Sequence, residues 1–414
     1  MVEKLQKYLI QAEFVLLCSI AFVFPMYKKI LPLVIAVYCL LFVLNGGLMK
    51  IVKSLNQKYI LITSAYYGML LLGISYSSQV EAAWFDVEVK FSLLLFPILF
   101  NARPLSRRQF SGVLLWFVFG CLAATFICIT TAIVFYFNSN DASAFYYQEL
   151  SIFQHPSYFS LYLNFCIYFI YYYMVFDKEN YRIKSDFISV FIIVIFSLFI
   201  VLLSSKMGLI TLFMVIFTGT LLWFLKSRAI FPSIMVFIML SSLIYLSFNY
   251  SNYIQGRIEE AVNSVSKDKI TFTTTGARLV VWKTGLELIK KKPLFGYGTG
   301  DVKYELVEKY KEYNYSHLVE HKLNAHNQYI QMLIAIGIFG SIFFWLYLYF
   351  PIFTPGFFQN MLYVGFLGLI LLNFTTESML ETQAGVVFYA FFNAMLFFNR
   401  DNVVHLKVLN RKKS

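Results

Sequence analysis

The chain has 414 residues, of which 59% are hydrophobic and only 14% are charged. A water-soluble protein of this length cannot bury so much apolar surface in globular cores, which argues against a secreted or cytosolic enzyme. The formal net charge of +12 would suit a nucleic-acid binder, but the basic residues are distributed as in a membrane protein, as described below. The composition therefore predicts a polytopic membrane protein.

Uncharged apolar stretches recur along the chain, and most are about 17–25 residues long, enough to cross a hydrocarbon layer as a helix. They predict an all-α fold, a transmembrane helical bundle of about twelve spans with a large extracytoplasmic helical loop. The predicted spans are 8–26, 30–48, 59–76, 88–102, 110–137, 156–176, 187–204, 207–225, 229–248, 328–350, 359–374 and 383–398.

The basic residues of the short connecting segments fix the orientation. Eighteen Lys and Arg residues lie on one side of the predicted spans and four on the other, apart from the long segment 249–327. The positive-inside rule places both termini in the cytoplasm, and long translocated segments are exempt from it. The N-terminal stretch has no small-residue cleavage site and is interpreted as an uncleaved first span. Residues 1–248 are then the bundle of spans one to nine, 249–327 the extracytoplasmic loop, 328–398 spans ten to twelve, and 399–414 a basic cytoplasmic tail.

Two amphipathic helices are predicted in the loop. Thr275 is the expected N-cap of the first, and Asp301 that of the second, which runs to about Tyr313. The apolar face of the first helix consists of Leu279, Trp282, Leu286 and Ile289. The glycines of 296–300 lack the Lys-Ser/Thr of a phosphate loop, so they are interpreted as a turn between helices. The helices lie on the membrane surface or cap the bundle, and the sequence leaves both open.

Four of the five histidines lie on or near the predicted outer face. His317-Leu-Val-Glu320-His321 matches the H-x-x-E-H pattern of inverted zinc peptidases, in which two histidines four apart on a helix share a metal. No third ligand is evident downstream in the loop, so a solvated helix face is the preferred interpretation. His326 lies at the junction of the loop and the tenth predicted span, where a membrane enzyme would meet an extracytoplasmic substrate.

The residues that follow His326 resemble a family signature. The chain reads His326-Asn327, nine residues, then Gly337-Ile-Phe-Gly340. This resembles the O-antigen ligase and O-antigen polymerase family, whose members show a histidine, a small polar residue, nine residues and Gly-x-x-Gly. Other stretches similar to that family are 155–158, 204–208 and 276–300.

The resemblance implies a bacterial inner-membrane glycosyltransferase. Its donor would be an undecaprenyl-diphosphate-linked oligosaccharide, and its acceptor a hydroxyl of a glycan or of the lipid A-core. Transfer would occur on the periplasmic face, with inversion and without a metal or other cofactor. Membrane lipids and other polysaccharide-assembly proteins are the expected partners, and nucleic acid is not. The sequence does not separate ligase from polymerase. A transporter or flippase is the alternative, although no two-half repeat is evident.

The chemistry of the reaction suggests roles for particular residues. A departing diphosphate gains negative charge near a low-dielectric wall, where fixed cations stabilise it best. Arg278 is the first choice for this role and Arg257 the second, because arginine grips phosphate oxygens in a bidentate way. Lys206, at the outer end of a predicted span, would supply a point charge.

His326 is the predicted general base, because a neutral imidazole can accept a proton near pH 7. The predicted catalytic residues are thus His326 and Arg278, with no metal site. The predicted substrate-binding residues are Lys206, Arg257, Asn327, His155 and Glu377. Glu377, Glu381 and Glu13 are each candidates to orient His326 or a sugar hydroxyl, against ordinary capping or burial.

Overall fold

The computed structural model describes residues 2–26, 29–177, 183, 185–227, 238 and 274–402. Those residues form helices and connecting turns, with no β-strand among them, which confirms the all-α fold class. The α-helices are α1 Val2–Val23, α2 Leu31–Leu44, α3 Gly47–Ser54, α4 Lys58–Ile74, α5 Val80–Lys90, α6 Ser92–Ala102, α7 Arg107–Ser139, α8 Tyr147–Leu150, α9 Pro156–Phe176, α10 Asp186–Leu203, α11 Lys206–Ser227, α12 Thr274–Lys291, α13 Val302–Glu312, α14 Ser316–His321, α15 Gln328–Tyr349, α16 Met361–Phe374 and α17 Gln383–Phe398. The 3₁₀ helices are Ala142–Phe145, Phe350–Phe353, Phe357–Gln359, Met379–Glu381 and Arg400–Asn402.

Several of these helices can cross a membrane. Within the described ranges, α7, α9, α10, α11 and α15 are long and apolar enough to do so, and the bent pair α2–α3 would make a sixth. Helices α4, α16 and α17 are apolar but shorter, as is the apolar part of α1, Tyr8–Val23. The count of about twelve spans remains a prediction, and the predicted span 229–248 lies outside the described residues except for residue 238.

Two predicted spans have different boundaries in the structure. The span predicted at 30–48 ends at Leu44, and Gly46, with φ +72°, turns the chain by 89° into α3. The span predicted at 88–102 is wrong as a single helix, because α5 begins at residue 80 and meets α6 at Phe91. The first part of α5 contains charged residues, so a search for uncharged apolar stretches did not include it. Lys90 is buried and pairs with Asp86 one turn earlier at 2.5 Å, so its charge is compensated inside the protein.

Helix α9 is almost completely enclosed, with 19 of its 21 residues buried. Its aromatic side chains interlock with α17, for example Tyr162 with Phe388 at 4.6 Å between ring centroids. Phe165 and Phe392 are 5.1 Å apart in the same layer. Such aromatic packing holds a helix pair rigidly. It fixes the start of α9 and the segment before α17 at one end of the bundle.

A break in α15 receives the glycine-rich loop. Gly337 has φ +60° and ψ −168°, which interrupts the helix. The break frees the carbonyl of Ile334 from the helical hydrogen-bond pattern, and this carbonyl accepts from Tyr297 N at 2.8 Å. A Cβ at Gly337 would lie 2.3 Å from the oxygen of Leu294, so only glycine fits there. The loop 296–300 therefore packs backbone against backbone, as a turn between helices would.

The caps predicted in the outer segment differ from those observed. Helix α12 begins at Thr274, so Thr275 lies inside its first turn and is not its N-cap. Asp301 precedes α13, but its carboxylate makes no capping hydrogen bond to that helix. It accepts instead from the backbone N–H groups of Ser78 and Gln79, both at 2.7 Å. The carboxylate oxygens of Asp301, which the local sequence predicts to cap α13, are therefore used in a tertiary contact.

Helix α12 forms part of a cap on the bundle. Val281 and Leu288 are buried, whereas Leu279 and Leu286 of the predicted apolar face are exposed. Gly285 lets α12 approach α15 closely, because a Cβ there would lie 2.7 Å from Ile330. Leu279 and Leu286 of the predicted apolar face therefore do not pack against the bundle. The contact with α15 selects a neighbouring face of the helix.

Candidate functional site

A cavity of about 370 Å³ lies where the cap meets the bundle, and it is called here the cationic cavity. Its basic lining residues are His155, Lys206, Arg278, His317, His321 and His326. Glu377 is the single carboxylate residue among its described lining. A pocket with this excess of cationic and titratable groups suits an anionic ligand.

Glu377 is the centre of the hydrogen-bond network in this cavity. It lies between α16 and the 3₁₀ helix Met379–Glu381 and is only 6% exposed. Its Oε1 accepts from Arg278 Nη2 at 2.6 Å and from Ser157 Oγ at 3.1 Å. Its Oε2 lies 3.2 Å from Nδ1 of His326. The two side chains predicted to act together thus contact one carboxylate.

His326 is held in an unusual backbone conformation. Its φ is +42°, in the left-handed region that non-glycine residues rarely adopt. Its N–H donates to the side chain of Asn324 at 3.0 Å, and the next residue, Asn327, caps α15. Strain of this kind persists only where the surrounding contacts impose it, and it is common at functional sites. Here it directs the imidazole toward Glu377.

The ionisation of Glu377 determines which ring nitrogen of His326 faces it as a hydrogen-bond donor. Burial alone would raise the pKa of this carboxyl, but the hydrogen bond with His326 and the charges of Arg278, His326 and His155 outweigh burial and hold the pKa below its usual range. An ionised carboxylate can only accept hydrogen bonds, so Nδ1 of His326 carries the proton in this contact. In neutral His326, Nε2 then keeps its lone pair.

The lowered pKa of Glu377 predicts a pH-dependent contribution to stability. In its ionised form Glu377 stabilises the folded protein fully above its unfolded-state pKa of about 4.3. That contribution is lost as the pH falls through the lower folded-state pKa. We expect Glu377→Gln to lower the melting temperature of the purified protein at pH 7. The gap to wild type should narrow below about pH 4. Glu320→Gln, at an exposed site, is the matched control, and a gap that does not change with pH would contradict this assignment.

The start of α9 supplies a second set of polar groups. His155 is its N-cap and accepts from Ser157 N through Nδ1 at 3.4 Å, and Pro156 occupies the first helical position, which it favours. His155, predicted to bind substrate, therefore lines the cavity while capping a helix. Sequence reasoning assigned no role to Ser157, whose hydroxyl bonds to Glu377. Its place in the first turn after a His-Pro cap was the available signal.

The break between α10 and α11 brings Lys206 to the cavity. Ser204 ends α10 with φ +48°, and α11 begins at Lys206. The turn directs Ser205 and Lys206 into the lining of the cationic cavity. Lys206 thus lines the same cavity as Arg278. Arg257, the second predicted phosphate ligand, lies outside the described residues.

Asn327 has a structural task. Its side-chain oxygen accepts from the N–H groups of Tyr329 and Ile330 at 3.0 and 3.1 Å, and its amide donates to the carbonyl of Thr375 at 3.0 Å. These contacts fix the start of α15 against the segment that carries Glu377. Asn327 is absent from the described lining of the cationic cavity.

Two of the three glutamates considered as partners of His326 bind elsewhere. Glu13 pairs with Arg103 and accepts from Asn45 at 2.8 Å. Glu381 pairs with Lys90 at 2.9 Å. Both carboxylates compensate buried or partly buried cations. Glu377 is the candidate whose carboxylate contacts His326.

His317 and His321 are exposed residues at the rim of the cationic cavity, with ring centroids 4.5 Å apart. They share one face of α14, as their spacing predicted. Within the described ranges no group of three or more His, Cys, Asp or Glu side chains is arranged to hold a metal ion. The pair adds basic groups to the cavity entrance.

Comparison with known proteins supports the resemblance seen in the sequence. Residues 191–345 match the protein family described as O-antigen ligase. This segment includes Lys206, Arg278 and His326, whereas Glu377 lies beyond it. An uncharacterized protein of Haemophilus influenzae is 29% identical over 163 residues, which cover 34% of this chain and 39% of the relative. The match therefore spans about two fifths of that relative's length. The family predicted from the His326 signature is confirmed for residues 191–345.

Proposed function

We propose that this chain, which carries an O-antigen ligase domain over residues 191–345, is a bacterial inner-membrane glycosyltransferase. It transfers a saccharide from undecaprenyl diphosphate to an acceptor hydroxyl on the extracytoplasmic face. The observation that carries the proposal is the carboxylate of Glu377, shared by Arg278 at 2.6 Å and His326 at 3.2 Å inside the cationic cavity. A phosphate-binding cation and a base thus stand beside one another.

The donor diphosphate binds in the cationic cavity. Arg278 uses Nη2 to hold Glu377, and within the described part of the chain its other N–H donors make no hydrogen bond, so they suit phosphate oxygens. Lys206 adds a second permanent positive charge to the same lining. Together they oppose a single carboxylate, so the cavity keeps an attraction for the diphosphate. That attraction grows as the leaving group gains charge in the transition state.

His326 accepts the proton of the acceptor hydroxyl. Glu377 holds Nδ1–H, so the lone pair on Nε2 takes the proton while the hydroxyl oxygen attacks the anomeric carbon. The bond from that carbon to the phosphate oxygen breaks, and its electron pair leaves with the diphosphate. Attack from the face opposite the leaving group inverts the anomeric centre. Glu377 stabilises the imidazolium that forms and acts as a positioning residue.

The location of the site supports transfer outside the cytoplasm. The cationic cavity is lined by segments near residues 147–157, 205–207, 277–326 and 377. The charge pattern assigns every one of these segments to the extracytoplasmic side. A cavity at the other end of the molecule is lined by segments that the same pattern assigns to the cytoplasm, among them Lys53, Lys58 and Arg400. Both termini are accordingly proposed to be cytoplasmic.

The other residues predicted to bind substrate contribute to the proposed site in different ways. His155 reinforces the positive potential around Glu377. Asn327 acts indirectly, by fixing the helix that follows His326. Arg257 remains a proposed second ligand of the diphosphate. Donor lipid, a glycan or lipid A-core acceptor, membrane lipids and other polysaccharide-assembly proteins remain the proposed partners.

An assay with purified protein tests the proposal. Incubation with lipid-linked oligosaccharide should yield new glycosidic bonds and release undecaprenyl diphosphate. Movement of intact lipid-linked oligosaccharide across a vesicle membrane without bond formation would instead indicate a transporter or flippase.

Gene deletion then separates the two acceptors. Single repeat units on the lipid A-core indicate a lost polymerase, and unattached long chains indicate a lost ligase.

Metal removal should leave this activity intact. His326, Arg278 and Lys206 supply the proton acceptor and the positive charge, so the reaction proposed here routes no step through a metal ion. We expect the transfer rate in excess chelator to equal that in untreated protein. Loss of activity that zinc restores would contradict this expectation and would favour a metal shared by His317 and His321.

A further inference from the structure

A second cavity lies on the other side of His326. It measures about 490 Å³ and is called here the mixed cavity. Three residues, His321, Leu323 and His326, line both it and the cationic cavity. The predicted base therefore stands in a wall between two spaces. A group-transfer enzyme needs this arrangement, because donor and acceptor must reach one reacting centre from different directions.

The two cavities differ in charge. The described lining of the mixed cavity includes two lysines, Lys303 and Lys322, and two carboxylates, Asp86 and Glu381. The ammonium of buried Lys90 lies 2.5 Å from Asp86 and 2.9 Å from Glu381. With His321 and His326, the described lining of the mixed cavity holds four basic residues and two carboxylates, whereas that of the cationic cavity holds six basic residues and one carboxylate. The mixed cavity therefore attracts a diphosphate less strongly than the cationic cavity does, and it suits a ligand of lower net charge.

The polar and aromatic groups of the mixed cavity match a saccharide. Asn324 and Gln331 line it. Their side-chain oxygens accept from the backbone N–H groups of His326 and Ala325, and their amide groups are donors that suit hydroxyl groups. Phe85 and Tyr304 also line it and are 67% and 49% exposed. Exposed aromatic faces accept the apolar faces of sugar rings, and carboxylates accept hydrogen bonds from sugar hydroxyls.

We infer that the mixed cavity is the binding site for the acceptor saccharide. This inference rests on the proposed transferase function. The acceptor hydroxyl reaches His326 from the mixed cavity and gives its proton to the imidazole, and its oxygen bonds to the anomeric carbon of the donor. The diphosphate departs on the opposite side, with the electron pair of the broken carbon–oxygen bond, into the cationic cavity. The two cavities thereby impose the opposed geometry that inversion requires.

Binding measurements test this assignment on the full chain in lipid nanodiscs. The probes are undecaprenyl diphosphate, the repeat-unit oligosaccharide released from its lipid by mild acid, and the core oligosaccharide. Phe85→Ala and Tyr304→Ala should each weaken binding of one of the two oligosaccharides about tenfold. Neither variant should change binding of undecaprenyl diphosphate. Phe358→Ala is the matched control, because Phe358 is exposed to nearly the same extent as Phe85, 69% against 67%, and lines neither cavity.

The outcomes separate the inference from the proposed function. Unchanged oligosaccharide binding in Phe85→Ala and Tyr304→Ala would overturn the inference, as would failure of both oligosaccharides to bind wild type. If undecaprenyl diphosphate still binds wild type and transfer still occurs, the proposed function survives that result. Failure of undecaprenyl diphosphate to bind, together with absence of transfer, would instead remove the proposed function itself.

Discussion

Replacing His326 with alanine is expected to lower the rate constant of transfer by about 10²- to 10⁴-fold, the contribution typical of a general base. The imidazole is the group that Glu377 orients at 3.2 Å, and alanine removes the proton acceptor without removing the phosphate-binding cations. Steady-state kinetics of the purified variant should therefore show a loss in kcat with little change in donor KM. The release of undecaprenyl diphosphate is a suitable readout.

The His326→Ala result needs a check on folding. His326 is only partly buried, so its truncation should leave the melting temperature within a few degrees of wild type. Binding of undecaprenyl diphosphate should also persist, because Arg278 and Lys206 remain. A variant that binds the carrier lipid, is folded and keeps the wild-type rate would rule out His326 as the base.

Replacing Arg278 with alanine is expected to weaken binding of undecaprenyl diphosphate about 10- to 100-fold and to reduce product to the limit of detection. A charge-assisted hydrogen bond to phosphate is worth about 1.5–3 kcal/mol, which corresponds to that range. The loss in rate should exceed the loss in binding, because the leaving group gains charge in the transition state. Equilibrium binding and single-turnover transfer measure the two effects separately.

Two variants isolate the role of the Arg278 guanidinium. Arg278→Lys keeps the positive charge beside Glu377 but loses the bidentate geometry, so it should recover stability more fully than activity. Lys283→Ala removes an exposed cation from the same helix and should behave as wild type. Full activity in purified Arg278→Ala would remove Arg278 from the diphosphate site.

The sequence alone was sufficient for the class of fold, and it nominated the residues that are proposed here to react. Long uncharged stretches predict helices because a helix satisfies its backbone hydrogen bonds internally. This reasoning located α7, α9, α10, α11, α15, α16 and α17 to within a few residues. His326 and Arg278 were identified by a spacing signature and by the chemistry of a departing diphosphate. Both criteria concern residue type and order along the chain, which are fully present in a sequence.

The partners of those residues were decided by tertiary structure. The sequence did not distinguish Glu377, Glu381 and Glu13 as partners of His326. Only the packing of helices distant in the chain places Glu377 against His326 and Glu381 against Lys90. Asp301 likewise accepts a hydrogen bond from the distant backbone N–H of Ser78 and does not cap its own helix. Hydrogen bonds and ion pairs depend on distances of a few ångströms between elements far apart in sequence, which local patterns do not encode. For the same reason, the second cavity beside His326 had no counterpart in the sequence.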